Sequence, residues 1–245
     1  MEKLSKDSLK FIQKLIKTCS ICGIEDVAIE PEVIRGQSTD NSKGIFMLET
    51  ENIPTNFGFS TIGIPRIKVL GNRIAILDQD ALEIGYEGKE RDNGDIFVRK
   101  LVLSSKRTKV DFSCQDVMKI KAPRRFTDPF FYGFSVAEDT LKIMAKAATA
   151  IDTTKISFSS EKDGSVKFRT SDVNGDMFDH LISETFETDD EADKTNFFHE
   201  YEIKYVLPLF RAAMDENGEL NVNISKRGVM KVNVNGFHIY VLPEA

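Results

Sequence analysis

The chain of 245 residues holds only three cysteines and three histidines. An odd, small cysteine count excludes a disulfide scaffold and fits a reducing compartment. Cys19 and Cys22 form a C-x-x-C pair, but neither a preceding strand pattern nor a second ligand pair accompanies it. A zinc or redox centre is therefore not expected, and Cys19 reads as a small buried residue at a helix end. No apolar run approaches the roughly 20 residues that a membrane-spanning helix needs. The opening MEKLSKDSLK lacks the apolar stretch of a secretory signal, so an intracellular protein without membrane partners is expected. There is no excess of positive charge either: 33 basic against 39 acidic residues leave a net charge of −6, which argues against a surface basic all over.

Catalytic patterns are missing as well. Neither G-x-x-x-x-G-K-[ST] nor G-x-G-x-x-G occurs, so no phosphate-cradling loop is present. His180, His199 and His238 fall in or beside predicted strands with no nucleophile nearby. Asp172, Asn174 and Asp176 imitate the start of a calcium loop, but Met177 stands where glycine is required and Ser183 where glutamate is required. A plain turn is expected there, and a solvated loop at Asp189–Asp193. The expectation is a protein without enzymatic activity, metal or cofactor.

What the chain does have is an ordinary globular balance, 41% hydrophobic and 29% charged, and enough length for one large domain or two of about 120 residues. The stretch Ser135–Ile151 organises it. Ser135 and Glu138 have the spacing of a capping box. Leu141, Met144, Ala145, Ala148 and Ile151 recur at helical spacing, with Lys142, Lys146 and Thr149 on a flanking face. Ser5–Cys19 has the same layout: adding 132 places Leu9 on Leu141, Lys10 on Lys142, Ile12 on Met144, Lys14 on Lys146, Ile16 on Ala148 and Cys19 on Ile151. Any two amphipathic helices share some of this, so the segments that follow each helix decide.

After the first helix, Val27–Glu30, Val33–Gln37, Ile45–Glu49 and the alternating Asn56–Ile62 read as strands. Ile64–Ile76 reads as a short helix with Pro65 in its first turn, although Gly71 weakens it. Strands are expected at Leu82–Glu87, Asp95–Leu103 and Thr108–Ser113. Residues 118–133, with two prolines, Lys119, Lys121, Arg124 and Arg125, and more apolar residues than a linker needs, read as an extended connector. The second half then repeats the order. After its long helix come strands at Lys155–Ser159, Ser165–Thr170, Met177–Phe186 and Phe197–Tyr201, a short helix at Glu202–Met214, and strands at Glu219–Ser225, Val229–Asn233 and Phe237–Leu242. Adding 138 places Arg66 and Arg73 on Lys204 and Arg211. Two matched helices with matched cations in the same order point to a duplication. The expected fold is α+β, with two tandem similar domains at 1–117 and 134–245 and a connector at 118–133, antiparallel sheets outside and helices on one face.

If the four helices share one side, Lys10, Lys14, Lys17, Arg66, Arg73, Lys142, Lys146, Lys204 and Arg211 form one basic patch suited to duplex phosphates. Any single lysine among them is equally well a solvated helix face; the set carries the argument. The duplicated order, the proline-containing connector, the segment GFSVAEDTLKIMAKAATAIDTTKISFSSEKDGSVKF and the terminal FHIYVLP resemble the DNA sliding clamps. The resemblance covers essentially the whole chain. It is to the proliferating-cell-nuclear-antigen type and, closer still, to the bacteriophage clamps; bacterial clamps hold three domains per chain, and this length holds two.

The resemblance implies a homotrimeric ring closed head to tail, with helices lining the hole around double-stranded DNA and contacting it without reading sequence. It implies tethering of a DNA polymerase, an ATP-dependent clamp loader, and, if the source is a phage, the cytoplasm of a bacterial host. Strand pairing between copies is expected at 107–113 and 177–185. A groove for partner peptides is implied at Ile45, Met118, Ile120, Phe126, Phe130, Tyr240, Leu242 and Pro243, where Ile45 and Leu242 are also good core residues. The connector lacks the acidic character common in cellular clamps. The rival readings are a structural β-rich assembly protein of virion type, without DNA encirclement, and an enzyme with an unrecognised site.

Overall fold

The structure, a computed structural model, describes residues 2–38, 46–50, 53–54, 57–121, 123, 126–161, 165–183 and 197–244. It divides into two compact units. The first comprises Met1–Thr39, Met47–Arg125 and Asn235–Phe237, the second Asp40–Phe46, Phe126–Val234 and His238–Ala245.

The first half runs β1 (Glu2–Lys3), α1 (Lys6–Cys22), β2 (Ile24–Ile29), β3 (Ile34–Ser38), β4 (Phe46–Glu49), β5 (Ile62–Ile64), α2 (Ile67–Ala75), β6 (Glu83–Glu90), β7 (Ile96–Ser105) and β8 (Thr108–Ser113). The second runs β9 (Phe130–Val136), α3 (Glu138–Ala150), β10 (Lys155–Ser160), β11 (Val166–Ser171), β12 (Met177–Ser183), β13 (Phe198–Glu202), α4 (Ile203–Asn217), β14 (Leu220–Ser225), β15 (Met230–Val234) and β16 (Phe237–Val241). The two lists have the same order: one strand, a helix, four strands, a helix, three strands. The pairing repeats too. Strands β5-β2-β3-β4 correspond to β13-β10-β11-β12, and β1-β6-β7-β8 to β9-β14-β15-β16, all antiparallel. The class is α+β.

Local chemistry explains most boundaries. Ser5 caps α1: its Oγ accepts the Ser8 N–H at 3.1 Å, and Gly23 ends the helix in the left-handed conformation. Gly71, an expected weakness of α2, marks a close approach instead, because a Cβ there would lie 2.7 Å from Ile16 Cγ2 on α1. In the second unit Phe158 gathers Phe134, Tyr201 and Phe210 within 5.6–6.0 Å, a core of aromatic rings under α4.

The structure corrects several sequence expectations. Ser135 is no helix cap: it lies in β9 opposite Asn221, its Oγ 2.6 Å from Asn221 Oδ1, and α3 starts after Ala137 with no side-chain cap. Phe130–Val136, expected to be connector and cap, is a strand, because Tyr132, Phe134 and Val136 bury one face at period two. Of the expected strand Asn56–Ile62, Asn56 lies outside the described residues, and among 57–62 only Ile62 belongs to a strand. Gly58 takes φ 74°, and Phe57 and Phe59 stack at 4.9 Å, with Phe59 set edge-on against Tyr86. The alternation there serves an aromatic cluster rather than a sheet.

Candidate nucleic-acid interface

The first unit offers α1. Its buried stripe is Ser8, Ile12, Leu15, Thr18, Cys19 and Cys22. At 100° per residue, Lys6, Lys10 and Lys17 point away from that stripe, and Lys14 lies beside them. All four are exposed, and Lys6, Lys10 and Lys17 meet no carboxylate among the described residues. The only acid on α1 is Asp7 in its first turn, where the helix dipole favours it.

On α2 the two arginines behave differently. Arg66 is the N-cap residue, held at φ 52° while its backbone N–H donates to Asp26 Oδ1 at 2.9 Å; its side chain is exposed. Arg73 is half-buried: its guanidinium lies 5.4 Å from the Phe112 ring centre and donates to the Asp111 carbonyl at 2.9 Å. Sequence spacing could not show this, because β8 lies 38 residues away.

The second unit offers α3 and α4, packed side by side. The buried positions of α3 are Thr140, Leu141, Met144, Ala147 and Ala148. Ser8, Ile12 and Leu15 fall on Thr140, Met144 and Ala147 when 132 is added, so the long helices are in register. The short helices are in a different register from the expected one. Ile67, Leu70 and Ile74 match the buried Val206, Leu209 and Ala213 at an offset of 139, one more than the cation match used, so Arg66 and Arg73 stand one residue off Lys204 and Arg211.

The cations of the second unit are partly engaged. Lys142 Nζ pairs with Glu138 at 2.8 Å and Asp139 at 3.5 Å, and the hydrogen bond to Glu138 raises its pKa. Lys204 pairs with Glu202 at 2.8 Å and lies 4.7 Å from the Tyr205 ring centre. Lys146 and Arg211 are exposed and line a groove of about 560 Å³ between α3 and α4, together with Glu138, Leu141, Lys142 and Asp215.

The expected peptide-groove residues divide between the units. In the first, Met118 is 85% exposed on a 3-10 turn, whereas Ile120 is buried against Gly63, where a Cβ would meet Ile120 Cγ1 at 3.1 Å. In the second, Phe126 and Phe130 lie 5.5 Å apart; Tyr240 is 5.5 Å from Phe126 and 6.2 Å from Phe130. Lys231 Nζ sits 4.6 Å from the Phe130 ring centre. Leu242 and Pro243 are half-buried beyond this cluster. Ile45 lies outside the described residues, as does the expected loop at Asp189–Asp193.

Other candidate chemistry resolves simply. Cys19 and Cys22 are buried free thiols; burial pushes Cys22 up to about 12 and Cys19 up as well, so both stay protonated. Asp172 accepts the N–H groups of Asn174 at 2.9 Å and Asp176 at 2.8 Å, the turn expected from the sequence. Among the described residues no group of three or more His, Cys, Asp or Glu side chains is placed to hold a metal ion. No helix there is long and apolar enough to cross a membrane. Strands β8 and β12 each stand at the end of their sheet's strand order.

No sequence-family model matches this chain, and no curated protein matches it. Solved structures do. A proliferating-cell nuclear antigen (PCNA) from A. fulgidus, solved with the C-terminal region of FEN-1 bound, superposes with a TM-score of 0.64 at 12% identity over 96% of both chains. The PCNA of Thermococcus kodakaraensis gives 0.63 at 13% identity over 97% of both chains. The DNA polymerase III β subunit of Pseudomonas aeruginosa gives 0.65 at 12% identity over 100% of this chain and 64% of that one. Repeated topology and near-complete superposition at such low identity establish that this chain has the fold of the DNA sliding clamps.

Proposed function

We propose that this chain is the protomer of a DNA sliding clamp, a non-enzymatic ring that encircles duplex DNA and tethers the replicative polymerase. The observation that carries the reading is the exposed lysine stripe of α1, turned away from the core in a chain with the clamp fold. In such a ring Lys10, Lys14, Lys17, Arg66, Lys142, Lys146, Lys204 and Arg211 face the duplex, which is held through its phosphates, without base reading, and not equally by every one of them. Arg73 contributes through its fixed position over Phe112. An acidic total is compatible with this, because encirclement supplies retention and the contacts can be weak and mobile.

Three copies close head to tail, with β8 of one copy pairing with β12 of the next. A heterologous interface of this kind generates a ring when its rotation closes. A loader that hydrolyses ATP opens the ring, since this chain has no phosphate-cradling loop of its own. The polymerase docks a short apolar peptide on Phe126, Phe130, Tyr240, Leu242 and Pro243 of the second unit. Ile120, buried against Gly63, belongs to the packing of the first unit and is not part of this surface.

The test needs no loader. A ring threads onto a linear duplex only over its ends. The full chain, photo-crosslinked to linear duplex DNA, should be captured when the ends are open and lost when both are blocked by streptavidin. Equal capture on open and blocked DNA would show binding from the side and exclude encirclement.

A further inference from the structure

The long helices are in register, so their outward positions can be compared one by one. Where α1 has Lys6, Asp7, Lys10, Lys14 and Lys17, α3 has Glu138, Asp139, Lys142, Lys146 and Thr149. Two of the four cation positions of α1 are thus a carboxylate and a hydroxyl on α3. One of the two remaining lysines, Lys142, is already paired with Glu138 and Asp139. The short helices extend the difference. Together α1 and α2 hold six cations against the single carboxylate Asp7. Together α3 and α4 hold four cations against Glu138, Asp139, Asp215 and Glu216.

We infer that the two units grip DNA unequally: α1 supplies the main phosphate contact of each protomer, and the α3–α4 pair forms a nearly neutral surface over which the duplex passes. This rests on the reading of the chain as a DNA clamp. The physical argument is that a phosphate contact contributes by releasing condensed counterions, and a lysine already neutralised by a neighbouring carboxylate releases few. The stripe Lys6–Lys17 spans about 16 Å of helix, enough to follow several successive phosphates of one strand. The ring then presents alternating sticky and slippery arcs to the duplex, three of each, instead of a uniform positive lining.

The experiment compares position-matched pairs of identical chemistry. The full chain and the double variants K10A/K14A and K142A/K146A are titrated with NaCl on an open-ended linear duplex. K10A/K14A removes two lysines from every protomer, so it should lose at least about tenfold in affinity, and its salt slope should fall by about two to five units according to how many protomers touch the duplex at once. K142A/K146A should lose less than about threefold, with a slope change below about one. A second set exchanges the helices' own residues: K6E/K17T, which gives α1 the side chains of α3, should weaken binding, and E138K/T149K should strengthen it. All six changed lysines and Glu138 and Thr149 are exposed, so thermal midpoints close to that of the parent chain confirm folding. Equal losses in the two alanine pairs, or a larger loss from K142A/K146A, would overturn the unequal grip while leaving the clamp reading intact. Failure of the parent chain to bind open-ended duplex at any salt would overturn both.

Discussion

Helices α1 and α3 hold the same place in a repeated fold and bury matching positions, yet they are built to different specifications. The first is capped by Ser5, closed by Gly23 and carries Lys6, Lys10, Lys14 and Lys17 outside against the single carboxylate Asp7. The second has no side-chain cap, buries Ala147 where α1 buries Leu15, and mixes carboxylates with lysines on its outer face. The repeated fold thus keeps what the core requires, three buried positions at helical period, and leaves free what the core does not see. The outward residues are free to differ, and there the two units differ in charge.

The largest effect expected from this comparison is in packing. Leu15 is fully buried, and its match in the second unit is Ala147. Leu15→Ala should cost about 3 kcal/mol in denaturant unfolding, through lost transfer energy and the cavity left behind. A cost below about 1 kcal/mol would mean that α1 is no better packed than α3 and would break the contrast. The next effect lies in two matching turns. Gly94, between β6 and β7, has φ 85° and nothing within 4 Å of a would-be Cβ. Gly228, between β14 and β15, has φ 81° and would place a Cβ 2.5 Å from His199 Nδ1. Gly94→Ala should cost about 1 kcal/mol for the backbone alone. Gly228→Ala should cost about 2 kcal/mol or more, because the half-buried imidazole must move as well. Comparison of the two thermal midpoints separates strain from clash.

Capping gives a smaller effect with opposite signs in the two units. Ser5→Ala should destabilise by about 1 kcal/mol, whereas Ala137→Ser should stabilise by up to about 1 kcal/mol by supplying the cap that α3 lacks. Circular dichroism melts of the two variants test both signs. The smallest effect is electrostatic. The hydrogen bonds from Arg169 at 2.6 and 2.8 Å lower the pKa of Asp179 on β12. A folded-state pKa below the ordinary value of about 3.9 gives stability that is present above that value and lost as pH falls through the folded one. Both side chains are exposed, so solvent screening limits the gain to under about 0.5 kcal/mol. The melting temperature of Asp179→Asn should fall less steeply than that of the parent chain between pH 4 and pH 2. Parallel curves would show that the pair contributes nothing.

Much of this fold could be read in the sequence, because hydrophobic period and turn residues report it locally. The strand Thr108–Ser113 is legible to the residue, and the register of α1 with α3 follows from spacing alone. The misreadings arose where one local signal carried two meanings. Ser135 and Glu138 have the spacing of a capping box, but the serine hydroxyl answers to Asn221, 86 residues away. Phe57 and Phe59 alternate as strand residues do, yet Gly58 bends the chain so that both rings join one cluster. For the proposed surface, only the exposure and pairing of its cations can be compared with the sequence. Which lysines point outward follows from period, and the pairing of Lys142 with Glu138 follows from i,i+4 spacing. The capture of Arg73 by β8 does not, because its partners come from a distant strand that only the folded chain brings near.

The mass of the protein in solution tests the central claim most directly, because encirclement needs a closed ring before it needs DNA. Light scattering across a dilution series should give about three times the chain mass of 27.6 kDa at high concentration, falling toward one chain on dilution. A constant single-chain mass at every concentration would contradict the account. It would leave a β-rich protein with the clamp fold, edge strands β8 and β12 unpaired between copies, and no ring for the lysines of α1 to line.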